Sequence, residues 1–153
     1  MFDKMDQAIK MAKKAYEEQE VPVGAAIYQG DRLIAVAHNL CKKNNSPTAH
    51  AEMIVIEQAL RSLQTTYLQG CELYVTIEPC MMCMGAILAA RLSRLVYGAI
   101  EPQSGFVEST VHIQTLANTK NIEIYSGIRE EECAKLMQRF FYEARNRDGK
   151  ITL

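Results

Sequence analysis

The sequence predicts an α/β fold, a three-layer α/β/α arrangement in which one mixed sheet is covered by helices on both faces. Two observations carry this expectation. A helical-period segment and a pair of strand-like runs come first, and strands then alternate with helical segments to the end of the chain. The length of 153 residues and the 48% hydrophobic content suit one core, so a single domain over 1–153 is expected.

Each element has a local reason. Phe2, Met5, Ala8, Ile9, Ala12, Ala15 and Tyr16 recur at helical spacing with Lys10, Lys13 and Lys14 between them, which predicts an amphipathic helix ending before Pro22. Val23–Tyr28 and Leu33–Ala37 read as strands joined by the turn Gln29-Gly30-Asp31-Arg32. After a polar loop from Cys41 to Ser46, a helix is expected over Ala49–Leu63 with Thr48 as its N-cap. Cys71–Ile77 reads as a strand, and Pro79-Cys80 opens a helix running to about Arg91. Arg94–Ala99 and Asn121–Tyr125 are strand-like, with a short helix expected between them near Thr110–Leu116. The last helix, Glu130–Arg147, starts on three acids that suit the positive end of its dipole. It carries the apolar stripe Cys133, Leu136, Met137, Phe140, Phe141 and Ala144.

Composition narrows the function classes. The net charge of −1 argues against a globally basic nucleic-acid binder, although local patches escape this measure. No apolar run approaches the roughly 18 residues of a membrane span. The charged first residues do not resemble a secretion signal, so a cytoplasmic protein is expected. Five cysteines without such a signal argue against a disulfide framework, and Cys80 and Cys83 stand as Cys-x-x-Cys.

The chemistry concentrates in Thr48-Ala49-His50-Ala51-Glu52 and Glu78-Pro79-Cys80-Met81-Met82-Cys83. Each lies where a loop or strand passes into a helix. Cysteines three apart on a helix share a face and reach one metal, and a helix N-terminus stabilises the thiolate form. His50, Cys80 and Cys83 thus supply three ligands, and a three-ligand zinc site keeps its fourth position open for water, the mark of a catalytic centre. Glu52, two residues from His50, is placed to act as general base and acid without binding the metal. His-x-Glu with Pro-Cys-x-x-Cys is the arrangement of zinc deaminases acting on cytosine C4 or adenine C6.

Other readings of the same residues are weaker. Cys-x-x-Cys alone fits a redox pair or half of a structural zinc site, but a redox reading leaves His50-Ala51-Glu52 without a purpose. A structural site needs a fourth ligand, and Cys71, the one candidate close in sequence, alternates like a core strand residue. His38 and His112 read as surface or loop residues. Met81, Met82, Met84 and Ile87 read as core and dimer contacts.

The chain also resembles a known family, the bacterial tRNA-specific adenosine deaminases. The resemblance rests on Pro-Val-Gly-Ala at 22–25, Asn39, Pro-Thr-Ala-His-Ala-Glu at 47–52, Leu-Tyr-Val-Thr-Ile-Glu-Pro-Cys-Met-Met-Cys-Met-Gly-Ala at 73–86 and Arg-Leu-Val-Tyr-Gly-Ala at 94–99. It implies a five-stranded cytidine-deaminase-like fold and a homodimer with one zinc ion per subunit. The implied reaction converts the wobble adenosine of a tRNA anticodon stem-loop to inosine. By the same resemblance Asn39 binds the flipped adenine and Ala51 adds a backbone contact. Two stretches depart from the family pattern. Ile100-Glu101-Pro102-Gln103-Ser104-Gly105 stands where Arg-Asp-x-Lys-x-Gly is frequent, and His38 stands where Trp is frequent. The changed loop and the modest charge keep a small-molecule deaminase, acting on guanine, cytosine or a cytidine nucleotide, as the alternative. A non-enzymatic subunit with a structural zinc is a third reading, against which Glu52 speaks. Lys42, Lys43, Lys135, Arg139, Arg145, Arg147 and Lys150 are candidates for phosphate contacts, although each taken singly reads first as an ordinary solvated charge.

Overall fold

The first helix, α1 (Phe2–Glu17), leads into the antiparallel strands β1 (Gly24–Gln29) and β2 (Arg32–His38). The remaining elements are α2 (Ala51–Leu63), β3 (Cys71–Ile77), α3 (Met81–Ala89), β4 (Arg94–Ala99), β5 (Glu123–Tyr125) and α4 (Glu130–Arg147). This computed structural model describes residues 1–116, 119 and 121–147. Among these, no helix is long and apolar enough to cross a membrane.

The strands form one five-stranded mixed sheet in the order β2-β1-β3-β4-β5, as the fold class requires. β1 runs antiparallel to both neighbours, whereas β3, β4 and β5 are mutually parallel. Helices α1 and α4 pack on one face and on each other, and α2 packs on the opposite face together with α3. Coverage on both faces explains why β1, β3 and β4 are nearly continuous apolar runs rather than alternating ones. Tyr74, Tyr97, Ile27, Leu73 and Leu95, among the largest fully buried side chains, come from these three strands. The helix expected near Thr110–Leu116 is a single 3-10 turn, Ile113–Thr115.

Two helix starts differ from the sequence expectation in a way that matters for the site. Helix α2 begins at Ala51 with His50, not Thr48, at the N-cap. Thr48 instead turns its hydroxyl to Ser46 at 3.2 Å. Asn39, at the end of β2, reaches across so that its Oδ1 accepts the first helical N–H, that of Ala51, at 2.8 Å. A cap delivered from a neighbouring strand leaves no local signature in sequence. Likewise Cys80 is the N-cap of α3. The apolar stripe of α4 is only partly covered: Cys133 is buried, but Phe141 is 42% exposed.

Gly24 shows how tightly α1 lies on the sheet. A Cβ there would collide with the Ala8 carbonyl oxygen and the Ala12 backbone nitrogen, both fixed in helix α1. Gly24→Ala is therefore expected to destabilise the fold by about 3 kcal/mol through overpacking. Urea unfolding checks this, and a loss below about 0.5 kcal/mol would contradict so close a helix–strand contact.

Candidate active site

The site forms where two helix N-termini meet at the carboxyl end of β3, the edge at which open α/β sheets bind ligands. Both N-cap residues are extended, His50 at φ −74°, ψ 149° and Cys80 at φ −77°, ψ 175°. Neither helix has a side-chain cap bond from its own N-cap residue. These positions usually hold Ser, Thr, Asp or Asn; here they hold a histidine and a cysteine that face each other.

His50 Nδ1 lies 3.7 Å from Cys80 Sγ and 3.5 Å from Cys83 Sγ. All three ligand atoms fall within 4.8 Å of one another, and they are the one such group among the described residues. This spacing fits zinc: bonds of about 2.3 Å to sulfur and 2.0–2.1 Å to nitrogen in a tetrahedron put S and N about 3.6 Å apart. Cys71 cannot serve as a fourth ligand. It is buried at the opposite end of β3, about 20 Å of strand away.

Electrostatics agree with a cation-binding role. Hydrogen bonds from Cys83 and His50 draw the Cys80 thiol down to about 4. The neighbouring Cys80 sulfur and burial push the Cys83 thiol upward. The Cys80 contact raises His50 against the opposing effect of burial. The thiolate form is thus favoured at Cys80, the form that binds zinc.

Glu52 lies in the first turn of α2 and is 3% exposed. Burial raises its pKa, opposed by the Cys83 thiol and the His50 charge. Its Oε1 is the one buried side-chain oxygen or nitrogen without a hydrogen-bond partner among the described residues. Leaving a buried carboxylate oxygen unpaired costs about 1–3 kcal/mol or more, so natural folds rarely tolerate it without a functional return.

Asn39 and Ala51 are brought together as well, through the N–H to Oδ1 bond already described. That bond orients the Asn39 amide. His38 departs from expectation. It is 7% exposed rather than on the surface; Nδ1 donates to the Asn39 carbonyl at 2.9 Å and Nε2 lies 3.4 Å from the Glu18 carboxylate. It thereby braces the backbone of Asn39. His112 is exposed, as expected.

Two acids were not singled out from sequence. Glu20, 3% exposed, accepts the backbone N–H groups of Lys42 and Lys43, each at 2.9 Å, and so shapes the loop after Asn39. Glu78 holds the 101–109 loop in the same manner. The available signal was a charged residue directly after the apolar strand Cys71–Ile77, which needs a buried set of donors. Of the basic residues on α4, Lys135 is paired with Glu131 at 2.8 Å and Arg139 with Glu143 at 3.0 Å. Arg145 lines a groove of about 620 Å³ between α4 and residues 99–103, and Lys150 lies outside the described residues.

Residues 1–145 match the MafB19-like deaminase family. The Bacillus subtilis tRNA-specific adenosine deaminase is 42% identical over 144 residues, covering 94% of this chain and 89% of its own. The Aquifex aeolicus tRNA-specific adenosine deaminase is also 42% identical, covering 91% and 92%. This chain belongs to the tRNA-specific adenosine deaminase family. A solved tRNA:A34 deaminase structure is 41% identical with a TM-score of 0.84, covering 89% of this chain and 99% of that one. A guanine deaminase from Nitrosomonas europaea has a TM-score of 0.81 at 21% identity, covering 91% and 83%, and shares the fold.

Membership of the deaminase family implies zinc, and the donor set and spacing fit it. The wild-type protein is expected to carry one zinc per chain, and His50→Ala or Cys83→Ala to lose it. Metal analysis after desalting checks this. Stoichiometric zinc in either variant would place the ion elsewhere.

Proposed function

We propose that this chain, acting as one deaminase domain, converts the wobble adenosine of a tRNA anticodon stem-loop to inosine by hydrolysis. The observation that carries the reading is the buried, unpartnered carboxylate oxygen of Glu52 beside the His50, Cys80, Cys83 cluster. A scaffold has no use for such a group; a hydrolytic deaminase needs one.

His50, Cys80 and Cys83 would hold the zinc ion, with no step assigned to them beyond that. Bound there, zinc supplies a Lewis acid and lowers the pKa of water toward neutrality. Glu52 moves the protons. Its carboxylate takes one from the attacking water and delivers it to adenine N1 as the C6–O bond forms. The proton that remains on the new hydroxyl then passes by way of Glu52 to the exocyclic amine. The C6–N bond breaks, ammonia leaves and C6 becomes a carbonyl. Burial raises the affinity of Glu52 for a proton, which suits a group that must carry one between these steps.

Asn39 orients the base. Ala51 holds the amide oxygen, and Nδ2 is turned out to donate to a purine acceptor. The Ala51 backbone closes the pocket beside it. A base reaching this depth must be flipped out of its loop, as single-stranded RNA readers do. The exposed Lys42 and Lys43, on the loop held by Glu20, stand ready for flanking phosphates. Lys135 and Arg139, already ion-paired, are poorer candidates. A homodimer is supported by helix α3, which is apolar around its circumference yet leaves Met81 66% exposed. Such an enzyme works in the cytoplasm, where tRNA is modified.

The test is incubation of the zinc-loaded protein with an anticodon stem-loop carrying a wobble adenosine, in parallel with guanine, cytosine and cytidine. Inosine is expected at the wobble position alone. Glu52→Gln should retain zinc and lose at least about 10²–10⁴-fold in kcat. Asn39→Ala should lower kcat/KM by about 10–100-fold, the effect of one buried polar contact. Turnover of a free base with the RNA untouched would overturn the substrate and leave the deamination chemistry standing.

A further inference from the structure

We infer that Glu78 is a positioning residue that sets the path of the 101–109 loop beside the base pocket, and through it the affinity for substrate. The inference rests on the deaminase reading above for what occupies the pocket.

Glu78 is 1% exposed. Its Oε1 accepts the N–H of Glu101 at 3.0 Å and the Ser109 hydroxyl. Its Oε2 accepts the N–H groups of Val107 at 2.9 Å, Glu108 at 2.8 Å and Ser109 at 3.0 Å. A carboxylate is an acceptor only, with about four lone-pair sites. Here these sites meet five donors and no cation. The loop is wrapped on the acid closely enough that a Cβ on Gly105 would run into the Glu78 carboxyl group and the Glu101 carbonyl oxygen.

The same loop is tied directly to the zinc-binding segment. Phe106 donates its N–H to the Pro79 carbonyl at 2.8 Å, and Gly105 forms an isolated antiparallel bridge with Cys80. Residues 100–103 form one wall of the groove facing α4. The loop that Glu78 holds therefore meets the zinc-binding segment at Gly105 and Phe106, while its 100–103 end lines the α4 groove. Four of the five Glu78 contacts are to main-chain N–H groups, so the cradle specifies the backbone and leaves the side chains of Glu101 and Gln103 free to differ. Nothing about Glu78 places it on the reacting atoms, and its work is on geometry.

Glu78→Gln separates these roles. The variant keeps shape and volume but replaces one acceptor oxygen with a donor. The amide nitrogen is expected to take the place of Oε1, because Oε2 serves three backbone donors and the Ser109 hydroxyl can turn to accept. The Glu101 N–H then faces another donor, and the loop yields at the end that lines the groove. Zinc content should stay at one per chain and kcat within about three-fold, while KM for the stem-loop rises by about ten-fold or more. Gly105→Ala, which pushes the loop and the Glu78 carboxyl group apart while keeping the acid's charge, should shift KM in the same direction and carries the test if Glu78→Gln does not fold. Amide hydrogen exchange of the wild-type protein provides a readout free of any substrate: Glu101, Val107, Glu108 and Ser109 should be protected although they lie in a loop. Exchange of these amides at unprotected rates, or an unchanged KM in both variants, would overturn the inference. Absence of inosine with the wild-type enzyme would instead overturn the substrate reading and leave the exchange result as the judge of the loop.

Discussion

The convergence of two helix N-termini on one point is the constraint from which the site follows. The parallel pairing of β3 with β4 requires a crossover, and α3 supplies it, starting directly at the carboxyl end of β3. Helix α2, packed against α3, brings His50 to the same place. Placing two of the proposed ligands, His50 and Cys80, at N-cap positions and Cys83 in the first turn of α3 has a chemical benefit. The free N–H groups and positive dipole end of each helix favour thiolate and carboxylate over their protonated forms. The cost is the loss of the usual capping side chains, and Asn39 offsets part of it from β2.

Three buried acids of this layer show how satisfaction separates structural from chemical roles. Glu20 and Glu78 each collect backbone N–H groups from a loop flanking the site, and each is fully engaged. Glu52 is as deeply buried but keeps one oxygen unpaired. The first two hold loops in place; the third keeps the free oxygen that the proposed proton carrier requires. Their burial alone would not distinguish them, whereas their hydrogen-bond partners do.

The layer order and the residues that cluster as His50, Cys80 and Cys83 were legible in the sequence because both rest on local rules. Apolar periodicity marked the helices, continuous apolar runs marked β3 and β4, and the spacing of Cys80 and Cys83 marked one metal face. What was hidden came from contacts between distant segments. The cap of α2 depends on Asn39, twelve residues upstream, so Thr48 looked like the better candidate by proximity. His38 looked like a loop residue because its partner Glu18, just past α1, becomes a neighbour only when that helix packs against β2. Glu78 is adjacent to the cysteines in sequence, yet its purpose lies in amides 23 to 31 residues away. The 3-10 turn at Ile113–Thr115 has too few residues for periodicity to define.

His50, Cys80 and Cys83 are proposed to hold a catalytic zinc with one position left open. X-ray absorption at the zinc edge on the purified protein tests it most directly. The account predicts two sulfur scatterers at about 2.3 Å and two light scatterers at about 2.0–2.1 Å, one of them from outside the protein. Three or four sulfur scatterers would mean a closed structural site and would contradict the assignment.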